Sequence, residues 1–512
     1  MPMSWKSAFE NIGNGIRKIL GGPLLLLIIG VGAFLYSNYK FFYVEPQSIC
    51  ADVEKSQRAR CRDNLAEEQF KYGSMNAENE RGVPYPIFYV LPRVFPQCLP
   101  GNKLGGYRAF GLPWEEGREL PVGFSKRRLG FDRITQTCAI CHTATYRMNV
   151  ADKPVIVPTG PSHTTSSQEF LRFLRCAAND EKFSFDGMWE EIKRNFEMGL
   201  DDWAIYHALI PIVRSRIIEQ VDGFAWMDQD EFRPGMKRPD WGPGRDDPMN
   251  LTKFFLLNAN RRKDQTTGNA DFPAIWDLST REGQSLNWGG ETQDPLAVIM
   301  DSALGLGAPP GPHFETQMRD IRAYLQRKKP PKYPDAPKPW EASVIAGGQI
   351  YKDNCAGCHE TGGKYFGKVV PIEDIGTDRE RFDTWQQEDA DGANKVAHEM
   401  GVERKGMVKD KGYVAGPLSG LWLRAPYLHN GAVANLRELL ARPEERHVTF
   451  YRGCDLYDPV NMGFLSDREE ASCPSNFLFD TRLPGNGRLG HAYGTELTPD
   501  QKQQLIDYLK TL

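Results

Sequence analysis

"TCAICH", residues 137–142, sets two cysteines three positions apart and follows the second directly with a histidine. The arrangement returns at 354–359 as "NCAGCH". Two thiols at this spacing can add across the two vinyl groups of one haem, and the adjacent histidine then stands beneath the iron as its proximal ligand. Cys138, Cys141 and His142 are therefore assigned to a first haem, and Cys355, Cys358 and His359 to a second. His142 and His359 are the iron ligands in this reading. A lone CxxC could be a redox pair or half a zinc site. Two copies that both end in histidine favour two covalently bound haems c.

The residues around the second motif carry a helical pattern. In "EASVIAGGQIYKDNCAGCH" (341–359), Val344, Ile345, Ile350 and Tyr351 share one helical face. The chain ends in "LTPDQKQQLIDYLKTL", which predicts a helix with Thr498 as N-cap and Pro499 in the first turn. Its "LIDYLK" echoes "IRAYLQ" at 321–326, so each CxxCH unit closes on a helix with a Tyr-Leu pair. Helix, CxxCH, loops and closing helix is the plan of a c-type cytochrome domain. The first unit is the longer one, and its excess is expected to enclose something. A Pro-rich basic stretch, "QRKKPPKYPDAPKPW" (326–340), reads as an extended tether between the two. No strand-rich alternation stands out. The expected fold class is mainly α: two c-type cytochrome domains with long loops, preceded by one N-terminal transmembrane helix.

That helix is read from "ILGGPLLLLIIGVGAFLY" (19–36), an uncharged and mainly apolar run. It is close to the ~20 residues a helix needs to cross a bilayer. Lys6, Arg17 and Lys18 precede it and Lys40 follows, which places the N-terminus in the cytoplasm. A cleaved signal peptide and a core helix are the competing readings. The expected organisation is a cytoplasmic N-terminus (1–18), an anchor (19–36) and a juxtamembrane extension (37–130). The first cytochrome unit (131–325), the linker (326–340) and the second cytochrome unit (341–512) follow. The expected location is the inner membrane, single-pass, with the haem domains in the periplasm. Six cysteines lie outside the motifs, an even number that suits disulfides in an exported chain. Cys50 with Cys61 and Cys454 with Cys473 are the close-spaced pairs, which leaves Cys98 with Cys176. Buried free thiols are the alternative. A net charge of −4 with no basic face gives no footing for nucleic acid.

The chemistry turns on the sixth position of each iron. Two strong protein ligands make an electron carrier, whereas an open face can bind peroxide or oxygen. The remaining histidines are His163, His207, His313, His398, His429, His447 and His491. The loop "APYLHNG" (425–431) resembles the "APYFHDG"-type loop of the bacterial dihaem cytochrome c peroxidase superfamily. "GHAYG" (490–494) and "DFPAIWDLSTREGQSLNWGG" (271–290) look more like its rubber oxygenase branch. The resemblance runs over roughly 130–512, strongest in the second unit. In the peroxidases a methionine about 14 residues after the loop histidine ligates the second haem; here Pro443 stands in its place. In the oxygenase branch a late histidine does so, and His491 fits. His429 and His447 are the alternatives for this ligand, although the family's loop histidine, which His429 matches, is a structural or near-haem residue rather than a ligand. The oxygenase branch leaves the first iron open beneath an apolar, aromatic lid, and Trp276, Leu286 and Trp288 occupy the matching stretch. Their alternative is plain core packing. His207, on an apolar helix, is a pocket or core histidine.

The expected function is a dihaem peroxidase-like oxidoreductase. Hydrogen peroxide or O₂ would react at the first haem, with Trp276, Trp288 and His207 as candidate catalytic residues. The second haem, held by His359 and His491, would supply electrons from a small donor cytochrome or a quinol-linked donor. A pure electron carrier and a dioxygenase acting on an apolar substrate are the alternatives. The Glu and Gln that move the proton in peroxidases have no local motif here; Glu169, Glu190, Glu282, Gln284 and Glu291 are the stand-ins. "GNGRLG" (485–490) matches a dinucleotide fingerprint only by letters, because it lacks the strand, helix and distant acid that motif needs.

Overall fold

The computed structural model describes residues 53–512 apart from 103, 104 and 262, together with scattered positions between 27 and 50. The expected cytoplasmic segment 1–18 and most of the expected anchor 19–36 lie outside the described residues. Among the described residues no helix is long and apolar enough to cross a membrane. Helix accounts for 42% of the described residues and strand for 11%. The strand content corrects the expected mainly α fold class: the described residues form a mixed helix–strand assembly, and no membrane-spanning helix stands among them.

The strands escaped the sequence reading for a physical reason. The hairpin Phe124–Leu129 with Phe131–Gln136 turns at Gly130, which has φ +75°. Its sequence, "FSKRRLGFDRITQ", is rich in charge because much of the hairpin is only half-buried. Val83–Pro84 pairs on its other edge. The remaining ladders are two-stranded and two to four residues long. Such pieces are too short for a period-2 pattern to show.

The extension 37–130 is not a separate arm. Ile87, Val90, Leu91, Phe95, Phe110 and Phe124 share one core with Phe173, Met188, Ile192, Ile210 and Val221. Phe88 stacks on Tyr107 at 4.2 Å, and Phe110 meets Phe170 edge-on at 5.5 Å. Burial of each such side chain contributes about 1.5–3 kcal/mol. In the long helix Leu200–Asp222, Tyr206, Ile210, Val213, Ile217 and Val221 face this core at three- and four-residue spacing. The opposite face carries His207, which is exposed.

The second unit is closed by its two predicted helices. Ala342–Asn354 lies against Pro499–Leu509, and Tyr351 and Tyr508 rings sit 5.1 Å apart. The approach requires Gly347, since a Cβ there would fall 1.9 Å from the Gln504 carbonyl oxygen. Thr498 caps the closing helix with its side chain on the Gln501 N–H. The Pro-rich stretch after residue 326 is strapped down rather than free. Tyr333 is buried and its ring meets Trp422 and Tyr457, while Trp422 Nε1 donates to the Pro331 carbonyl at 2.9 Å. The two units also share a buried ion pair, Arg147 with Asp455 at 2.6 Å.

Three disulfides form: Cys50–Cys61, Cys98–Cys176 and Cys454–Cys473. Cys98–Cys176 spans 78 residues, for which loop-closure entropy alone gives roughly 4.5 kcal/mol of stabilisation. A Cys98→Ala/Cys176→Ala variant is expected to unfold at markedly lower denaturant concentration, by about 2–4 kcal/mol. An unchanged midpoint in equilibrium denaturation would show that the bridge stabilises nothing.

Candidate haem sites

The first CxxCH forms a tight turn. Cys138–Ile140 is a 3-10 turn, and the Thr137 side chain accepts from the Ala139 N–H. His142 Nδ1 donates to the Pro273 carbonyl at 2.9 Å, which leaves Nε2 as the free nitrogen. Burial pushes the His142 pKa down to about 4, so the ring is neutral and able to ligate a metal. Burial also raises Cys138 to about 11 and Cys141 well above its ordinary value. A redox CxxC needs a lowered thiol pKa, so these cysteines do not suit that chemistry. They form no disulfide. Among the described residues no group of three or more His, Cys, Asp or Glu could hold a metal ion as a cluster. The zinc reading therefore has no further ligands, whereas thioether attachment requires only the two thiols.

The second CxxCH repeats the plan. His359 Nδ1 donates to the Gly416 carbonyl at 2.8 Å, and burial lowers its pKa. Cys355 is raised to about 11, again chiefly by burial. Opposite His359 stands His491, with ring centres 6.3 Å apart and planes at 45°. Metal–imidazole nitrogen bonds are about 2.0–2.1 Å, and each nitrogen lies roughly 1.1 Å from its ring centre, so two imidazoles on opposite sides of one metal sit about 6 Å centre to centre. The residues present thus fit a haem iron held from both faces.

The loop that brings His491 there is tightly built. Gly490 passes so close to Gly376 that a Cβ would lie 2.3 Å from the Gly376 carbonyl carbon. The His491 N–H donates to the Ile375 carbonyl at 2.8 Å. The buried Arg446 spans the loop from beneath. Its Nη1 donates to the carbonyls of Arg488 at 2.7 Å and Gly490 at 2.8 Å, and its Nη2 to that of His491 at 3.2 Å. His491 Nδ1 is buried with no partner among the described residues, and burial holds the ring neutral, with a pKa of about 4. The other histidines of this unit do not oppose a CxxCH. His429 stacks on Tyr413 at 4.1 Å, and His447 is exposed and pairs with Glu438.

Trp276 joins the two sites. It is 4% exposed. It follows Pro273, whose carbonyl holds His142, and its Nε1 donates at 2.9 Å to the Ser419 carbonyl, three residues past Gly416, which holds His359. Arg424 lies over its ring at 5.6 Å. Trp288 is half-buried and donates to the Asp271 carbonyl at 2.9 Å; Leu286 is buried. The structure leaves His207 outside this gathering, on the surface against Phe185 and Trp203. The acidic stand-ins are committed elsewhere. Glu291 is in a buried pair with Arg381 at 2.9 Å, Glu282 binds Arg322, Glu169 binds Arg172, and Glu190 binds Lys193. Gln284 donates to the Thr280 carbonyl.

Three residues beside the sites had no signal in the sequence. Met75 Sδ lies 3.8 Å from Cys138 Sγ, contributed by the extension that the family resemblance does not reach. Arg446 acts only through backbone carbonyls, which leave no mark in a motif. Asp246 acts electrostatically on Cys141 from 105 positions away in the chain.

A RoxA-like, cytochrome c-like family model matches residues 412–451. That span holds Tyr413, Gly416, the "APYLHNG" loop and Arg446. The chain is 25% identical over 478 residues to the uncharacterized protein y4iJ of Sinorhizobium fredii, covering 73% of this chain and 76% of that protein. It is 26% identical over 269 residues to the uncharacterized protein y4iM of the same organism, covering 46% of this chain and 60% of that protein. The family match supports a RoxA-like cytochrome c relationship and implies haem c. It carries haem-based oxidation–reduction or electron transfer as the functional class.

Proposed function

We propose that this protein is a two-haem c oxidoreductase in which hydrogen peroxide or O₂ reacts at the first site and electrons arrive through the second. The observation that carries this reading is an asymmetry. His359 has His491 facing it at 6.3 Å, whereas no histidine ring faces His142 in this way among the described residues. A bound haem c supplies reversible one-electron chemistry and, where one face of the iron is free, a place for a small oxidant. The protein supplies the rest. Cys138, Cys141 and His142 hold one haem, and Cys355, Cys358, His359 and His491 hold the other. Pro273 and Gly416 fix the ligand tautomers by accepting from Nδ1. The buried Trp276, three residues after Pro273 and bonded to Ser419, is the side chain we assign to electron passage between the two. The electron donor is a small cytochrome or a quinol-linked carrier. The three disulfides support an oxidising compartment such as the periplasm for the haem units.

Absorption spectra of the isolated and reduced protein test the reading. A mixed high-spin and low-spin spectrum is expected, with CO and peroxide perturbing only the high-spin component. Two low-spin haems that ignore both ligands would leave electron transfer alone. That second reading has one observation in its favour, the Met75 sulfur beside Cys138. Met75→Ala is expected to leave the spectrum unchanged if the first haem is open and to create a high-spin signal if Met75 is its ligand.

Trp276→Phe keeps an aromatic ring but removes the bond to Ser419. It is expected to leave both haem spectra intact and slow electron passage from the second haem to the first several-fold in stopped-flow reduction. An unaltered rate would remove Trp276 from the path.

A further inference from the structure

Asp246 occupies the two-residue strand Arg245–Asp246, which pairs antiparallel with Ala270–Asp271. Successive side chains of a strand point to opposite faces. Arg245 turns to one side, where it donates to the Asn430 carbonyl at 3.2 Å and to Asn486 Oδ1 at 2.8 Å. Asp246 turns to the other, where its charge acts on the Cys141 thiol. Three residues beyond its strand partner Ala270 comes Pro273, whose carbonyl holds His142. The two-residue ladder therefore sets this carboxyl beside the segment that anchors the proximal histidine.

The neighbouring acids are all matched. Asp247 accepts from the backbone of Asn250 and Gly268 and from the Asn250 side chain, and Asp271 pairs with Arg452 at 2.6 Å. The Asp246 carboxyl has no hydrogen bond or ion pair among the described residues. Asp246 keeps part of its surface accessible, while the protein around it desolvates the carboxyl. Burial first, and then Asp247, raise its pKa to about 7; Arg381 and Arg245 oppose the shift without cancelling it. Arg381 is itself committed to Glu291. The charged and titratable groups that act on Asp246 are thus Arg245 beside it on the strand, Asp247 at the cap of the next helix, Arg381 on the helix Glu380–Thr384, and Cys141 on the CxxCH turn. An electron added nearby favours the neutral form of such an acid, and the coupling is reciprocal.

We propose that Asp246 is the proton partner of the first haem. It takes up one proton from water as that site gains one electron from the second haem or its one-electron donor, and returns the proton on reoxidation. The bond formed is the O–H of the carboxylic acid. One positive and one negative charge enter together, so the net charge of the enclosed site does not change. The proposal rests on the reading that Cys138, Cys141 and His142 hold a haem.

The test is a spectropotentiometric titration of the haem-loaded protein at several pH values across neutrality, with covalent haem counted first. The midpoint of the first haem is expected to fall as pH rises, approaching a tenfold shift in equilibrium per pH unit, about 59 mV for one electron. Asp246→Asn should flatten that dependence, and Asp246→Glu should keep it with a displaced midpoint. The second haem should keep its own pH dependence in both variants. A flat profile in the unmodified protein, or an unchanged slope in Asp246→Asn, overturns the proposal. Should Asp246→Asn fail to fold, the infrared difference spectrum of the parent decides. A protonated carboxyl band appearing on reduction and shifted in Asp246→Glu supports the assignment, and its absence rejects it. A first site without haem would instead sink the haem reading itself.

Discussion

Replacing His142 with glycine is expected to abolish turnover and to loosen the first unit, while haem stays covalently attached through Cys138 and Cys141. The imidazole is enclosed by protein and its Nδ1–H satisfies the Pro273 carbonyl. Removal leaves that carbonyl without its partner, which costs about 1–3 kcal/mol. It also opens a void beside packed groups, and the cost of such a void grows with the volume left empty. Together these are a large share of the roughly 5–15 kcal/mol that holds a typical domain. Added imidazole should enter the void and restore part of the original spectrum, because the ring is the only part lost. Thermal unfolding followed at the Soret band reads stability and peroxide or O₂ consumption reads function. Full activity in His142→Gly would remove this histidine from the first site.

The motifs that propose covalent haem attachment were legible because they are local. Two thiols and a histidine must lie within five residues, so "TCAICH" and "NCAGCH" announce themselves. The closing helix was legible from Thr498, Pro499 and the apolar spacing behind them, and the disulfides from cysteine spacing and parity. What the sequence hid was long-range or charged. The hairpin 124–136 alternates poorly because Lys126, Arg127, Arg128 and Arg133 stand in it half-buried. The segment 37–130 read only as a juxtamembrane extension, and its aromatic residues fill the same core as the helix Leu200–Asp222. The stretch 326–340 read as a tether, whereas Tyr333 and Pro331 dock on Trp422. His207 stood on an apparently apolar helix, but the buried positions of that helix fall on its other side. Trp276 could be placed near the sites by resemblance; its bond to Ser419 could not. Asp246 offered nothing in sequence, since a lone acid has no motif and its meaning comes from being the unmatched carboxyl in a matched cluster.

His491→Ala is the substitution that separates the two haem sites. Its ring stands opposite His359, and its backbone is held independently of the ring by Ile375, Gly376 and Arg446. The loop should therefore survive removal of the imidazole, with stability altered by only about 1 kcal/mol. Cys355, Cys358 and His359 keep their haem, so haem content should not fall. The second haem is expected to pass from low-spin to high-spin and to bind CO when reduced, which it should not do in the parent. Electron delivery to the first haem should slow, because a centre that changes its ligation on each transfer must reorganise. Arg446→Ala attacks the same ligand from the other direction. It leaves the imidazole in place but frees the carbonyls of Arg488, Gly490 and His491, so a mixed-spin spectrum with a pronounced loss of thermal stability is expected. The pair of variants distinguishes a ligand from its support: spectral change with a stable fold in one, spectral change that tracks unfolding in the other. A low-spin second haem persisting in His491→Ala would reject the assignment and return the sixth position to another side chain.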